Sequence, residues 1–532
     1  MSALAEATLI QAGLQAGLFT DEDLARLRPL ARARRVSLME ALAMERALPQ
    51  AAFYLALAEV RGLPCVQFSR WTADAPLLAR LPATLLKRHP MAVLRDPEGV
   101  AHLAIANPDD SMGVETARRV LGNLPLAIAD PDDLTTLLLR LRGQEASAQT
   151  AEEDPVRLFE RIAREALLRR ASDIHIEAIP DGARVRLRVD GALETLGAPL
   201  PRALGDALIS RVKVLSGMDI AEARAPQDGA LVYTPAGGTP IEMRAASAPV
   251  KFGERLTLRV MKSDPGRETL DALGMPPALV ARLRQALARP HGIVLVTGPT
   301  GSGKSTTLYC ALRELDAERL NILTAEDPIE QVMPGISQTQ VGAKVGFAGA
   351  LRAFLRHDPD VILVGEIRDL ETADVALKAA TTGHMVLSTL HTNSAPGAIT
   401  RLADIGCERF MLGATLNGIL AQRLVRLLCP NCKRERAATA EERRLLGVAA
   451  ETSATLCEAQ GCPRCLGSGY RGRIGLYESL WMDETLAAAV AAGAGETAIA
   501  GTARDYRRLA DDARAKTLAG LISLRDARAF LA

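Results

Sequence analysis

Aromatic side chains are scarce in this sequence: 3% of the chain, which leaves few platforms on which nucleic-acid bases could stack. Net charge is equally scant. Sixty-four Lys and Arg against 63 Asp and Glu leave +1, so no global field draws in DNA or RNA. No apolar run reaches the length of a membrane-spanning helix. The opening "MSALAEATLIQAGLQAGLF" has neither a basic start nor a small-residue cleavage site. A soluble cytoplasmic protein is expected, with any membrane attachment borrowed from a partner. Only 8 cysteines occur. Cys65, Cys310 and Cys407 stand singly in apolar surroundings and read as inert buried thiols. The other five cluster towards the C-terminal end, where pairing without a signal peptide points to metal before disulfide.

The chain, at 532 residues, is too long for one core and implies three or four domains. Residues 1–142 form a first block in which "DEDLARLRPLARARRVSLMEALAMERALPQAAFYLALAEV" has helical apolar spacing, with Thr20 or Asp21 able to cap its start. Shorter strand-like runs follow, such as "VAHLAIANP". A small α/β domain fits. Residues 143–154 lack a large apolar side chain and read as a linker. "VRLFERIAREALLRR" then gives an amphipathic helix burying Val156, Phe159, Ile162, Ala163 and Ala166.

In "SDIHIE" and "ARVRLRVDG" the alternation is strict, with Asp181-Gly182 as a turn between two strands. Ile174 and Ile176 point one way and Asp173, His175 and Glu177 the other; Arg184, Arg186 and Arg188 line one side of the next strand. Such an arginine row is usually a solvated face. A second small α/β domain is assigned to residues 155–265. From about residue 290, the apolar runs "GIVLV", "NILT", "VILV" and "MVLSTL" alternate with helical segments, the pattern of a parallel sheet covered on both faces.

At the end of the first of these strands stands "GPTGSGKST", comprising Gly298, Pro299, Thr300, Gly301, Ser302, Gly303, Lys304, Ser305 and Thr306. A strand before and a helix after make this a phosphate loop: glycines turn backbone N–H groups onto phosphates, Lys304 reaches the β- and γ-phosphates of ATP, and Ser305 completes a Mg²⁺ shell. Transporters, helicases, kinases and motors all use this cradle. "DPDVILVGEIRD" ends its strand at Glu366, a carboxylate able to hold Mg²⁺ through water or orient the attacking water. "NILTAEDPIE" puts Glu326, Asp327 and Glu330 after a strand, and "TTGHMVLSTLHTN" puts His384 and His391 at the two ends of another. Cys429, Cys432, Cys462 and Cys465 form two CxxC knuckles, a donor set for one structural Zn²⁺; a redox CxxC would not require the second pair.

Taken in order, "GPTGSGKST", "TAEDPIE", "LRHDPDVILVGEIRDLETA", "TGHMVLSTLHTN" and "AQRLVRLLCPNCK" resemble the boxes of the secretion ATPase superfamily, nearest to the traffic ATPases of type II secretion and of type IV pilus assembly. The resemblance covers about residue 156 to the end, and the N-terminal block more weakly. It implies an α/β architecture: a RecA-like P-loop ATPase core at 266–532, preceded by two small α/β domains, the second PAS-like. The core would carry a tetracysteine zinc insertion at 429–475 and a helical segment at 476–532. It also implies a homo-hexameric ATP hydrolase working on an inner-membrane platform and on cytoplasmic-domain proteins of a secretion or pilus system, with no nucleic acid. On that resemblance Glu330 activates the hydrolytic water, Glu366 serves the second acidic position, and His384 and His391 sense the nucleotide. Arg244 and Arg259, in "EMRAASAPVKFGERLTLRV", become arginine-finger candidates from the small domain, and residues 274–290 a hinge. Ala223 and Ala230 stand where the family carries arginines, beside a retained Arg224. In some relatives a similar N-terminal domain binds cyclic di-GMP. Here Arg35 is kept, but Ser37, Arg46 and Glu59 replace other binding positions, so partner docking is expected instead.

Overall fold

The computed structural model describes residues 4–34, 36–68, 70–142, 154–235, 240–261, 269–449 and 451–531. The expected linker, apart from Asp154, falls outside these residues, as do Arg35 and the expected boundary at 265/266. Two compact units are formed, Met1–Lys262 with Gln460–Gly469, and Ser263–Ala459 with Tyr470–Ala532.

The first unit begins with four helices, Glu6–Gln15, Asp21–Arg34, Leu38–Arg46 and Gln50–Arg61, closing on Leu42, Leu48, Phe53 and Leu57. Thr20 caps the second, accepting from Asp23 N at 3.3 Å, and Ser37 and Glu40 make a reciprocal capping box on the third. Arg46 closes on the buried Asp23 carboxylate. A four-stranded sheet follows, in the order Thr72–Ala73, Met91–Arg95, Ala101–Ile105, Leu126–Ile128, antiparallel except for its last pair.

Asp154 then caps the Pro155–Leu168 helix, whose proline supplies a pre-set first turn. Its buried face includes Phe159, Ile162, Ala163 and Ala166 as expected, but Leu158 is fully buried and Val156 only half so. The helix covers an antiparallel sheet in which Asp173–Ile179 lies between Gly182–Val189 and Gly253–Met261, followed outward by Ile241–Val250 and Gln227–Tyr233. Ile174 and Ile176 enter the core. The opposite face departs from a solvated row. Asp173, His175 and Glu177 are buried as well, because arginines from the neighbouring strands fold over them.

In the second unit a seven-stranded sheet runs Ser337–Gln340, Ile322–Glu326, Val361–Val364, Met385–Leu390, Gly292–Thr297, Leu416–Leu428, Tyr470–Trp481. All pairs are parallel except the last. Four of the five inner strands, Ile322–Glu326, Val361–Val364, Met385–Leu390 and Gly292–Thr297, are buried at every position, as runs between two helical layers require. The segment expected to hinge contains a helix, Pro277–Leu287, with Leu279, Val280, Leu283 and Leu287 buried. Among the described residues no helix is long and apolar enough to cross a membrane.

Candidate nucleotide site and cysteine cluster

Glycine is required twice in the phosphate loop. Gly298 has φ +149°, and a Cβ there would meet Gln422 O at 2.5 Å; Gly303 has φ +89°, and a Cβ would meet Gln422 Nε2 at 2.7 Å. Gly303 is also the left-handed cap from which the Lys304–Arg313 helix starts, so that helix's free N–H groups open onto the loop. Lys304 donates to Gly298 O at 2.9 Å and to Pro299 O at 3.2 Å. Burial pulls its ammonium pKa down; Glu366 opposes that shift and Arg423 adds to it. Pro299, Thr300, Gly301, Ser305 and Thr306 are exposed, whereas Ser302 is buried.

The loop closes where parallel strands end. Thr297, last in its strand, accepts from Thr392 N at 2.9 Å, tying the segment after Leu390 to the loop. That tie leaves His391 with Nε2 3.4 Å from Glu366 Oε2. Glu366 also pairs with Arg368, and its side chain is 15% exposed, accessible but not freely solvated. Thr389 Oγ1 donates to Gly365 O at 2.6 Å, which fixes the turn carrying that carboxylate.

The acidic box divides into two functions. Glu326 is buried and consumed, accepting from the Tyr309 hydroxyl, from Thr324 Oγ1 at 2.5 Å and from Gln338 Nε2 at 3.0 Å. Burial, and then the Glu326 bond, push the Tyr309 phenol pKa up. The same hydroxyl accepts from Glu330 N at 3.2 Å, while the Glu330 side chain is exposed. Tyr309 thus pins the segment that presents Glu330.

The two histidines are not brought together. His391 follows the strand at the loop end, whereas His384 precedes it, one strand length or roughly 20 Å away. There its Nδ1 lies 2.9 Å from Ala379 O, a local bond that closes the preceding helix. In the first unit, Arg244 and Arg259 face each other directly across paired strands. Arg259 donates to Asp173 Oδ1 at 3.0 Å, and Arg244 is half-buried with no side-chain partner among the described residues. On its other side Arg244 pairs with Ala230, one of the positions where an arginine was expected.

Sequence reasoning missed Tyr309, Gln422 and Arg423. Gln422 accepts from Thr307 Oγ1 at 2.7 Å and packs under Gly303. Arg423 donates to Gln422 O and to Asn393 O, at 2.9 and 3.0 Å, within reach of Gly298. Both stand in "AQRLVRLLCPNCK", but only the fold brings that strand beside the loop.

The ligand sulfurs of Cys429, Cys432, Cys462 and Cys465 all lie within 4.8 Å of one another. Tetrahedral Zn²⁺ with bonds near 2.3 Å needs sulfurs about 3.8 Å apart; Cys462 and Cys465 are separated by 3.7 Å. Cys465 Sγ accepts from Cys462 N and Gly469 N, each at 3.2 Å, the N–H contacts that stabilise a thiolate. The donor set and spacing fit zinc. Cys457 stays outside the cluster, opposite Glu435 in a two-stranded hairpin.

Residues 149–529 match the model of the type II/IV secretion system protein family, and residues 61–148 that of the MshEN domain. The chain belongs to the type II/IV secretion system protein family. It is similar to type II secretion system protein E of Klebsiella pneumoniae, 47% identical over 76% of this chain and 81% of that one. The type II secretion system ATPase E of Vibrio cholerae is 46% identical, covering 75% and 80%. The type IV pilus assembly ATPase PilB of Thermus thermophilus is 39% identical over 88% of this chain and 56% of that protein. Among solved structures, the Legionella pneumophila ATPase DotB shares the fold with TM-score 0.54 at 24% identity, covering 72% of this chain and 97% of that one.

Proposed function

We propose that this protein is the ATP hydrolase of a type II secretion system. The observation that carries the reading is the phosphate loop's convergence with Glu366, in a chain whose relatives include type II secretion ATPases. Lys304 and the N-terminus of its helix take the β- and γ-phosphates, and Ser305 with Glu366 would hold Mg²⁺. Glu330, presented on the Tyr309-pinned segment, accepts the proton of the attacking water. His391, beside Glu366, reads whether the γ-phosphate is present.

The working form is a cytoplasmic homo-hexamer attached to the inner membrane only through platform partners. Residues 1–142 dock on such a partner, the 155–265 domain delivers Arg244 and Arg259 to a nucleotide, and the 266–532 core hydrolyses it. Cys429, Cys432, Cys462 and Cys465 would hold a zinc ion that cross-links the 429–475 insertion and, with four sulfur ligands, has no open position for chemistry.

Subunit mixing tests the reading. Lys304→Ala and Arg259→Ala proteins, each inactive alone, should regain part of the wild-type rate when mixed, because one supplies the loop and the other the finger. Mixtures that stay dead, or an Arg259→Ala protein with full activity, would remove the finger from the reaction. Similarity to the pilus assembly ATPase supports a second reading, pilus extension. A deletion strain that loses surface pili but still releases its exoproteins would select it.

A further inference from the structure

Away from the phosphate loop, the second unit contains a cleft of about 370 Å³, within the range of small-ligand pockets. Its apolar lining comes from Leu456, Leu524 and the Tyr470 ring, with the Tyr470 hydroxyl held 3.1 Å from Ser523 Oγ. Three arginines also line it, and they differ. Arg436 is saturated: it donates to Glu442 at 2.7 and 2.6 Å and to Glu458 at 2.5 Å. Arg525 and Arg528 are exposed and make no ion pair among the described residues. The cleft's two carboxylates are therefore spent on one arginine, while Arg525 and Arg528, which line the same concavity, pair with no carboxylate among the described residues.

Solvated arginines on a convex surface would mean little. Here two of them, three residues apart and so on one side of a turn, border an apolar recess. That combination selects a ligand with an anionic group next to an apolar one. Arg guanidinium groups bind carboxylates through paired N–H bonds, stronger than neutral ones. A lipid surface fits less well: Glu458, at the cleft's edge with its side chain 57% exposed, would face a continuous plane of like charge.

We propose that this cleft binds an acidic peptide segment of a partner protein. One carboxylate lies between Arg525 and Arg528, and an adjacent leucine-sized side chain lies on Leu456 and Leu524. The inference is independent of the hydrolytic reading, since none of these residues belongs to the nucleotide site.

The test uses the full chain, loaded with zinc, and a fluorescein-labelled hexapeptide of alternating leucine and glutamate. Anisotropy should show saturable binding, weakened at least about tenfold in Arg525→Ala/Arg528→Ala, the loss of two charge-assisted bonds. Arg319→Ala removes an exposed charge elsewhere in the unit and should bind as the wild type does. The melting temperature and ATP turnover of the double variant should be unchanged, which separates failure of this proposal from failure of the hydrolytic one. Four results would each overturn it: equal binding by the double variant; equally tight binding of a leucine–lysine peptide; no saturable binding up to millimolar peptide; or sedimentation with phosphatidylglycerol vesicles, lost in the double variant, in place of peptide binding.

Discussion

The two large sheets of this chain place their charges in opposite ways. In the parallel sheet four of the inner strands carry apolar and hydroxyl side chains up to their ends, and the charged groups Glu326, Lys304, Glu366 and His391 stand at or just beyond those ends. In the antiparallel sheet of the first unit the charges lie on the sheet face. Glu177 pairs there with Arg184, Arg186 and Arg255, and Asp173 with Arg259 and Arg188. Strand ends in a parallel sheet converge on one crevice, so groups there can act together on a ligand. Charges spread over a face mostly satisfy one another. The difference teaches that the strand-end set should be felt in turnover and the face set, apart from the proposed finger Arg259, in stability.

Lys304→Ala is the strongest way to break that contrast. Among the described residues its ammonium donates to loop carbonyls alone, so hydrolysis should fall by roughly 10²- to 10³-fold or more while the melting temperature stays put. A large loss of stability in calorimetry would show that the strand-end charges are structural too. The cysteine cluster sharpens the comparison from the other side, because it converges like a site yet is expected to act on stability. Cys432→Ser should cost the chain its bound zinc, read by elemental analysis, and lower the melting temperature by several degrees. ATP turnover per folded protein should change far less.

For the charged face, Glu177→Gln should destabilise the first unit by about 1.5–3 kcal/mol in denaturant unfolding, since a buried carboxylate serving three arginines loses its charge. Burial alone would raise the Glu177 pKa, but bonds from Arg186 and Arg184 outweigh it and the net shift is downward. The unfolded chain therefore binds this proton more readily than the folded one. The stabilisation is complete above the ordinary glutamate value and is lost as pH falls through the lower folded one. Wild-type stability should consequently drop faster than the variant's below about pH 4.3. Parallel curves would mean that the arginines do not depress this carboxyl.

The contrast also governs what could be read from the sequence. Phosphate-loop residues are contiguous, and their glycines carry a backbone requirement that survives without coordinates, as Gly298 and Gly303 show. The alternation of Ile174 and Ile176 assigned the inward face correctly. It could not reveal that Asp173 and Glu177 were buried too, because Arg184, Arg186 and Arg188 cover them from one side only, and the cover from the other side comes from Arg255 and Arg259, about eighty residues away and joined by strand pairing. His384 and His391 were expected at the two ends of one strand; what the parallel register adds is that His391 stands at the end beside the phosphate loop. Residues 274–290 were expected to hinge on the resemblance alone; that Leu279, Val280, Leu283 and Leu287 of the Pro277–Leu287 helix join the core of the second unit is a packing fact the boxes do not carry.

Tyr309 is the finest test, since it belongs to neither class alone. On an apolar helix it reads as core, yet its hydroxyl joins the consumed carboxylate Glu326 to the backbone of Glu330. Phenylalanine would keep the ring's packing and remove only that link. Loss of one neutral-to-charged bond predicts about 1–2 kcal/mol of stability, and a looser Glu330 segment predicts a kcat several-fold lower. Nothing in the phosphate loop is touched, so KM for ATP should stay near the wild-type value. If kcat is unchanged while stability falls, Glu326 is held for the fold and Glu330 is positioned by something other than this tyrosine.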